Sequence, residues 1–177
     1  MRALVIAVVL CAAATPLMAQ EAEAPLDVPP VVMSTEYPGE VAVEPYDRSN
    51  AHAGATPFQG TAMLEAFHGL EGIGRVVDAM IDLSVADPRI AGTFVSHDLV
   101  RLRRVLKEQF AYILGAPIDY SGRDMATSHR DIGLQAADLG ALVENLQIAM
   151  SREGVDFRAQ NRFLAKLAPM KDDVVTR

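Results

Sequence analysis

Proline placement constrains this chain more than any other feature. Seven of its ten prolines lie at or before Pro57, six of them between Gln20 and Phe58 (Pro25, Pro29, Pro30, Pro38, Pro45 and Pro57). A proline in a helix interior removes a backbone donor and clashes with the preceding turn, so residues 20–58 cannot be helix. That stretch also carries seven acids against one base, Arg48, and its few scattered apolar residues cannot build a core. It reads as an acidic, proline-rich disordered segment. Beyond it only Pro88, Pro117 and Pro169 remain, and apolar residues recur at helical spacing. Residues 59–177 are expected to form one all-α domain.

Four stripes define its long helices. Ile73, Val76, Val77, Met80 and Leu83 share one face, and that helix should stop before Asp87-Pro88, because a proline disfavours helical geometry in the residue ahead of it. Leu99, Leu102, Leu106, Phe110 and Ile113 form a second, with Ser96 or Asp98 as the cap and Gly115 at the end. Leu139, Leu142, Val143, Leu146 and Met150 form a third that ends near Gly154. Phe163, Leu164 and Leu167 form a fourth, which Pro169 must kink or end. No stretch alternates with period two for long enough to predict a sheet.

The amino terminus has a different texture. Arg2 precedes the apolar run Ala3 to Ala14, and Pro16, Met18 and Ala19 follow before Gln20 and Glu21. This is the three-region order of a secretory signal peptide, and the run is too short to span a bilayer. Residues 1–19 are therefore expected to direct export, to the periplasm, with a membrane contact only through an uncleaved signal. The one cysteine, Cys11, falls inside the apolar run. A chain without further cysteines has no disulfide framework, no cysteine-ligated metal and no C-x-x-C-H attachment of c-type haem. A net charge of -7 argues against nucleic acid as a partner.

Common enzyme signatures are missing as well. The histidines His52, His68, His97 and His129 show no i, i+4 pair and no H-E-x-x-H pattern, and no P-loop, G-x-S-x-G or Rossmann fingerprint occurs. His129 differs in context, because it lies in a short glycine-bounded segment, Gly122 to Gly133, between two apolar helices. It is either a capping or surface histidine beside Ser128 and Arg130, or a ligand for a metal held by something other than protein.

The order of several short motifs favours the second. Met63-Leu64-Glu65, Val76-Val77-Asp78, Ala86-Asp87-Pro88-Arg89, Phe94, Gly115 with Pro117, Tyr120-Ser121-Gly122-Arg123-Asp124-Met125, and Ala168-Pro169 followed by Asp173-Val174 resemble, without an internal gap, a truncated globin of the group-one type. His68 departs from the glycine pair that opens that pattern. The resemblance implies a truncated globin fold, a two-over-two helical sandwich around haem b, with iron bound through His129. It implies a pocket of Phe94, Leu102, Leu106, Phe110, Tyr120, Met125, Leu139 and Leu142, with Arg101 or Arg103 paired to a haem propionate. A stripe of this kind is otherwise plain core, and the basic cluster Arg101, Arg103, Arg104 and Lys107 is otherwise a solvated helix face.

One departure bears on function. The resembled family's polar distal pair, a tyrosine late in the first of these long helices and a glutamine in the second, falls on Ile81 and Leu106, and Val105 stands where some members place a histidine that closes the iron's sixth site. The expected protein is an exported haem protein that binds a diatomic gas (oxygen, nitric oxide or carbon monoxide) in an apolar distal pocket, unless Gln109 or His97 turns inward, with an unidentified reductase as its partner. The alternatives are a haem enzyme of the nitric oxide dioxygenase or peroxidase type, and a globin-fold interaction module without haem.

Overall fold

The computed structural model describes residues 36–177; the expected leader, residues 1–19, and residues 20–35 of the acidic segment lie outside the described residues. No β-strand forms among the described residues, and the helices follow the four stripes. Two short helices, α1 (Ala62–Ala66) and α3 (Ala91–Phe94), flank the first long one, α2 (Gly69–Ala86). Helix α2 ends at Asp87, whose backbone turns extended ahead of Pro88. Asp98 starts α4 (Leu99–Leu114) by accepting from the Val100 and Arg101 amides at 3.0 Å each, and Gly115 ends it with φ +95°. A five-residue helix, α5 (Met125–His129), precedes α6 (Ala136–Arg152). Helix α7 (Phe157–Leu167) gives way at Ala168-Pro169-Met170 to one 3₁₀ turn and then to α8 (Lys171–Val174), which is how Pro169 is accommodated.

Burial holds these helices together. Helix α2 packs on both α4 and α6; of its predicted face Ile73, Val76, Val77 and Met80 are fully buried, joined by Ile81, while Leu83 is only half-buried. Helices α2 and α4 form one pair and α6 and α7 the other, which makes a two-over-two arrangement. Phe163 of α7 has no exposed surface and meets Phe67 and Phe110 edge-on at centroid distances of 5.2 and 4.8 Å. A buried polar clamp fixes α2 against α6. Ser84 donates back to the Met80 carbonyl at 2.7 Å, and the Asn145 amide reaches Ser84 Oγ and Asp87 Oδ2 at 3.3 Å each.

The described part of the acidic segment departs from the expected disorder. Residues 36–58 lie against α4 and the loop after it, held by polar anchors together with Ala53, Ala55 and Phe58 packed on the core. The Glu40 side chain, 3 % exposed, is paired with Arg101 at 3.0 Å and with Arg104 at 2.5 Å. The Arg104 guanidinium sits 3.6 Å from the Tyr37 ring centroid. Asn50–Ala53 forms a 3₁₀ turn whose Ala53 is wholly buried. An apolar count misses this segment because charge pairing and side-chain-to-backbone hydrogen bonds anchor it to residues some 60 positions away.

Candidate functional site

A cavity of about 650 Å³ opens between the helices, within the range of ~300–1,000 Å³ common for sites of small molecules and cofactors. Its walls are mostly apolar and come from nearly every element of the domain. Helix α2 contributes Met80 and Ile81; α3 contributes Phe94; α4 contributes Leu102, Val105, Leu106, Gln109 and Phe110. Tyr120 and Met125 line it beside His129, and α6 adds Leu139 and Leu142. All eight apolar and aromatic pocket residues expected from the sequence, and the expected iron ligand, therefore border one cavity.

His129 is anchored through one ring nitrogen. Helix α5 is capped by Asp124, whose Oδ1 accepts from the Thr127 amide at 2.8 Å; that bond, with the Thr127 side chain, holds the Asp124 carboxyl below the usual range for aspartate. One turn along, His129 Nδ1 lies 2.7 Å from the Met125 carbonyl oxygen. A carbonyl can only accept, so Nδ1 carries the proton and donates it. With Nδ1 protonated, it is Nε2 whose lone pair the ring offers to a metal, the form in which imidazole binds one. A ring oriented by a backbone carbonyl on its far nitrogen is the usual supporting arrangement for a metal-binding histidine. No group of three or more histidine, cysteine or carboxylate side chains able to cage a metal occurs among the described residues. A single imidazole at the edge of a large apolar cavity suits a metal carried by an apolar cofactor, and the residues present fit haem.

The other polar side chains buried in the wall face protein partners. Gln109 Nε2 donates to the Ala53 carbonyl at 2.9 Å and lies 3.5 Å from Met125 Sδ. The Tyr120 hydroxyl donates to the Arg123 carbonyl at 3.0 Å, and burial pushes its pKa upward. Gly122 is required beneath that ring, because any Cβ there would collide with the Tyr120 hydroxyl and ring atoms.

Arg101 does not belong to the cavity. It turns to Glu40 Oε2 and to the Val41 carbonyl, while Arg103 pairs with Asp78 at 3.2 Å and Asp82 at 2.5 Å. Arg101 thus shares the one Glu40 carboxylate of the acidic segment with Arg104, a pairing the sequence did not predict. Apart from His129, the cavity-lining groups able to carry positive charge are His97 and Lys171. Neither was singled out from the sequence for this role, because each stands apart from the basic cluster on α4.

Comparison with known proteins gives a consistent result. The family model described as bacterial-like globin matches residues 62–176. A group 1 truncated hemoglobin of Mycolicibacterium paratuberculosis is 28 % identical, over 61 % of this chain and 79 % of its own. One from Nostoc commune is 28 % identical, over 62 % of this chain and 92 % of its own. The crystal structure of a truncated hemoglobin from Tetrahymena pyriformis in the Fe(III) form superposes with a TM-score of 0.62 at 22 % identity, covering 65 % of this chain and 98 % of that one.

Proposed function

This chain belongs to the bacterial-like globin family, and from that premise we propose that it binds haem b through His129 and takes up a diatomic gas in an apolar distal pocket. The observation that carries this reading is the His129 side chain, whose Nδ1 proton is spent on the Met125 carbonyl while Nε2 is left available on a ring that lines the 650 Å³ cavity. Bound there, haem supplies an iron with a coordination position for the gas. The chain's residues determine how that gas is held. Phe94, Leu102, Leu106, Phe110, Leu139 and Leu142 would enclose the macrocycle and exclude water. Noncovalent binding accords with a sequence whose only cysteine is Cys11.

The gas-binding side is shaped by Ile81, Leu102, Val105 and Leu106, none of which can donate a hydrogen bond. The amide that could, on Gln109, is committed to Ala53. A gas that gains charge on binding, oxygen above all, would therefore lack a donor worth about 1.5–3 kcal/mol. Carbon monoxide and nitric oxide depend less on one. This supports a gas carrier, buffer or sensor rather than a long-term oxygen store. With Arg101 held by Glu40, His97 and Lys171 are the proposed cationic contacts for the haem carboxylates. The infrared stretching band of bound carbon monoxide tests the pocket: a band typical of an uncharged, donor-free site is expected, and one displaced by a strong donor overturns the apolar reading.

The proposed setting is outside the cytoplasm, supported by the charge, apolar run and small-residue order of residues 1–19. Amino-terminal sequencing of periplasmic material should give a mature chain starting near Gln20; recovery of the intact chain from the cytoplasm alone would refute export.

A further inference from the structure

We propose that Asn50 is a positioning residue for His129, so that residues 46–53, which precede the family-matched region, form part of the haem site. The inference rests on the reading that His129 binds haem iron. Helix α5 has only five residues, too few to hold a helical shape unaided, so the direction of the His129 ring depends on what fixes residues 119–125. Asn50 does this from outside the globin core. Its Oδ1 accepts from the Tyr120 amide at 2.8 Å and its Nδ2 donates to Asp119 Oδ1 at 2.9 Å.

The contacts continue residue by residue toward the ligand. The Tyr46 hydroxyl donates to the Ser121 carbonyl at 2.9 Å, and the Arg123 guanidinium lies 4.8 Å from the Tyr46 ring centroid. The Tyr120 hydroxyl holds the Arg123 carbonyl, Asp124 caps α5 through Thr127, and the Met125 carbonyl receives the His129 proton. From the opposite element, Gln109 joins the Ala53 carbonyl of the same turn to the sulfur of Met125. Deleting the Asn50 side chain leaves the Tyr120 amide without its acceptor, and the strain falls on the short run that aims the imidazole.

The test uses the full-length, haem-loaded protein and two readouts: the iron–histidine stretching band of the reduced form by resonance Raman, and the rate of haem transfer to excess apomyoglobin. Asn50→Ala should shift or broaden the band and speed haem release by about tenfold, the low end of what loss of an outer-shell support does to metal sites. Asn50→Asp alone should do the same, by setting two carboxylates face to face. The exchange Asn50→Asp with Asp119→Asn reverses donor and acceptor and should restore both readouts. Lys166→Met, which removes the 3.0 Å contact to Thr56 on the same segment, should leave the band unmoved. A folded Asn50→Ala protein with wild-type band and release rate overturns the inference alone. If Asn50→Ala does not fold, the single and exchanged Asp variants decide it, and an exchange that fails to restore the band overturns it. A wild-type chain that takes up no haem overturns the reading of the site and this inference with it.

Discussion

Replacing Leu106 by Gln should turn a weak oxygen binder into a stronger one. Leu106 lines the cavity on α4 and is half-buried, and glutamine has nearly its length, so the change supplies a donor with little overpacking. A hydrogen bond to a charged acceptor contributes about 1.5–3 kcal/mol. Ordering the new side chain costs about 0.5–1.5 kcal/mol. The middle of the two ranges leaves a net gain of about 1 kcal/mol, which corresponds to roughly fivefold to tenfold. It should fall mainly on the oxygen dissociation rate, since affinity changes within one site are mostly changes in escape. The assay is stopped-flow displacement of bound oxygen by carbon monoxide, with carbon monoxide affinity measured in parallel. The expected result is slower oxygen release by that factor with little change for carbon monoxide. An unchanged oxygen rate, together with a wild-type carbon monoxide band that already reports a strong donor, would refute the reasoning, because some other group would then be supplying the hydrogen bond.

Two further perturbations address the scaffold. Glu40→Ala removes a carboxylate shared by two guanidiniums that are each about one-fifth exposed, leaving Arg104 to Glu108 and Arg101 to the Val41 carbonyl, and should destabilise the protein by about 1.5–3 kcal/mol in urea unfolding. Arg104, then Arg101, hold the Glu40 carboxyl below its ordinary value, so this stability is fully present above the unfolded carboxylate range and is lost as pH falls through the lowered folded value. Acid titration of the wild type should accordingly show a loss that Glu40→Ala no longer shows. Phe163→Ala removes the ring between Phe67 and Phe110 and should cost about 3–5 kcal/mol in the same assay, without abolishing the His129–Met125 contact.

The long helices were legible in the sequence because they report themselves through period, cap and stop. Asp98 and Gly115 bracket α4 where the stripe says they should, and Asp87-Pro88 ends α2. The pocket residues were legible only through the resemblance, since a stripe such as Leu102 and Leu106 looks the same whether it faces core or cofactor. The acidic segment was not legible. Its order depends on Glu40 meeting Arg101 and Arg104, and on Asn50 meeting Asp119 and Tyr120, pairings with no local periodicity to betray them. The Arg101 pairing was hidden for the same reason: nothing local in the sequence shows that the buried Glu40 carboxylate lies between Arg101 and Arg104. Helix α5 is too short for any period, and only the Asp124 cap marks where it begins.

The central claim is that the imidazole of His129 grips the iron. Purified protein supplied with haem, reduced and treated with carbon monoxide, should give an intense Soret band, and the reduced form should show an iron–histidine stretch. In His129→Gly that stretch should vanish and return when free imidazole is added. An undiminished stretch in the glycine variant, or a wild-type chain that stays colourless, would contradict the account.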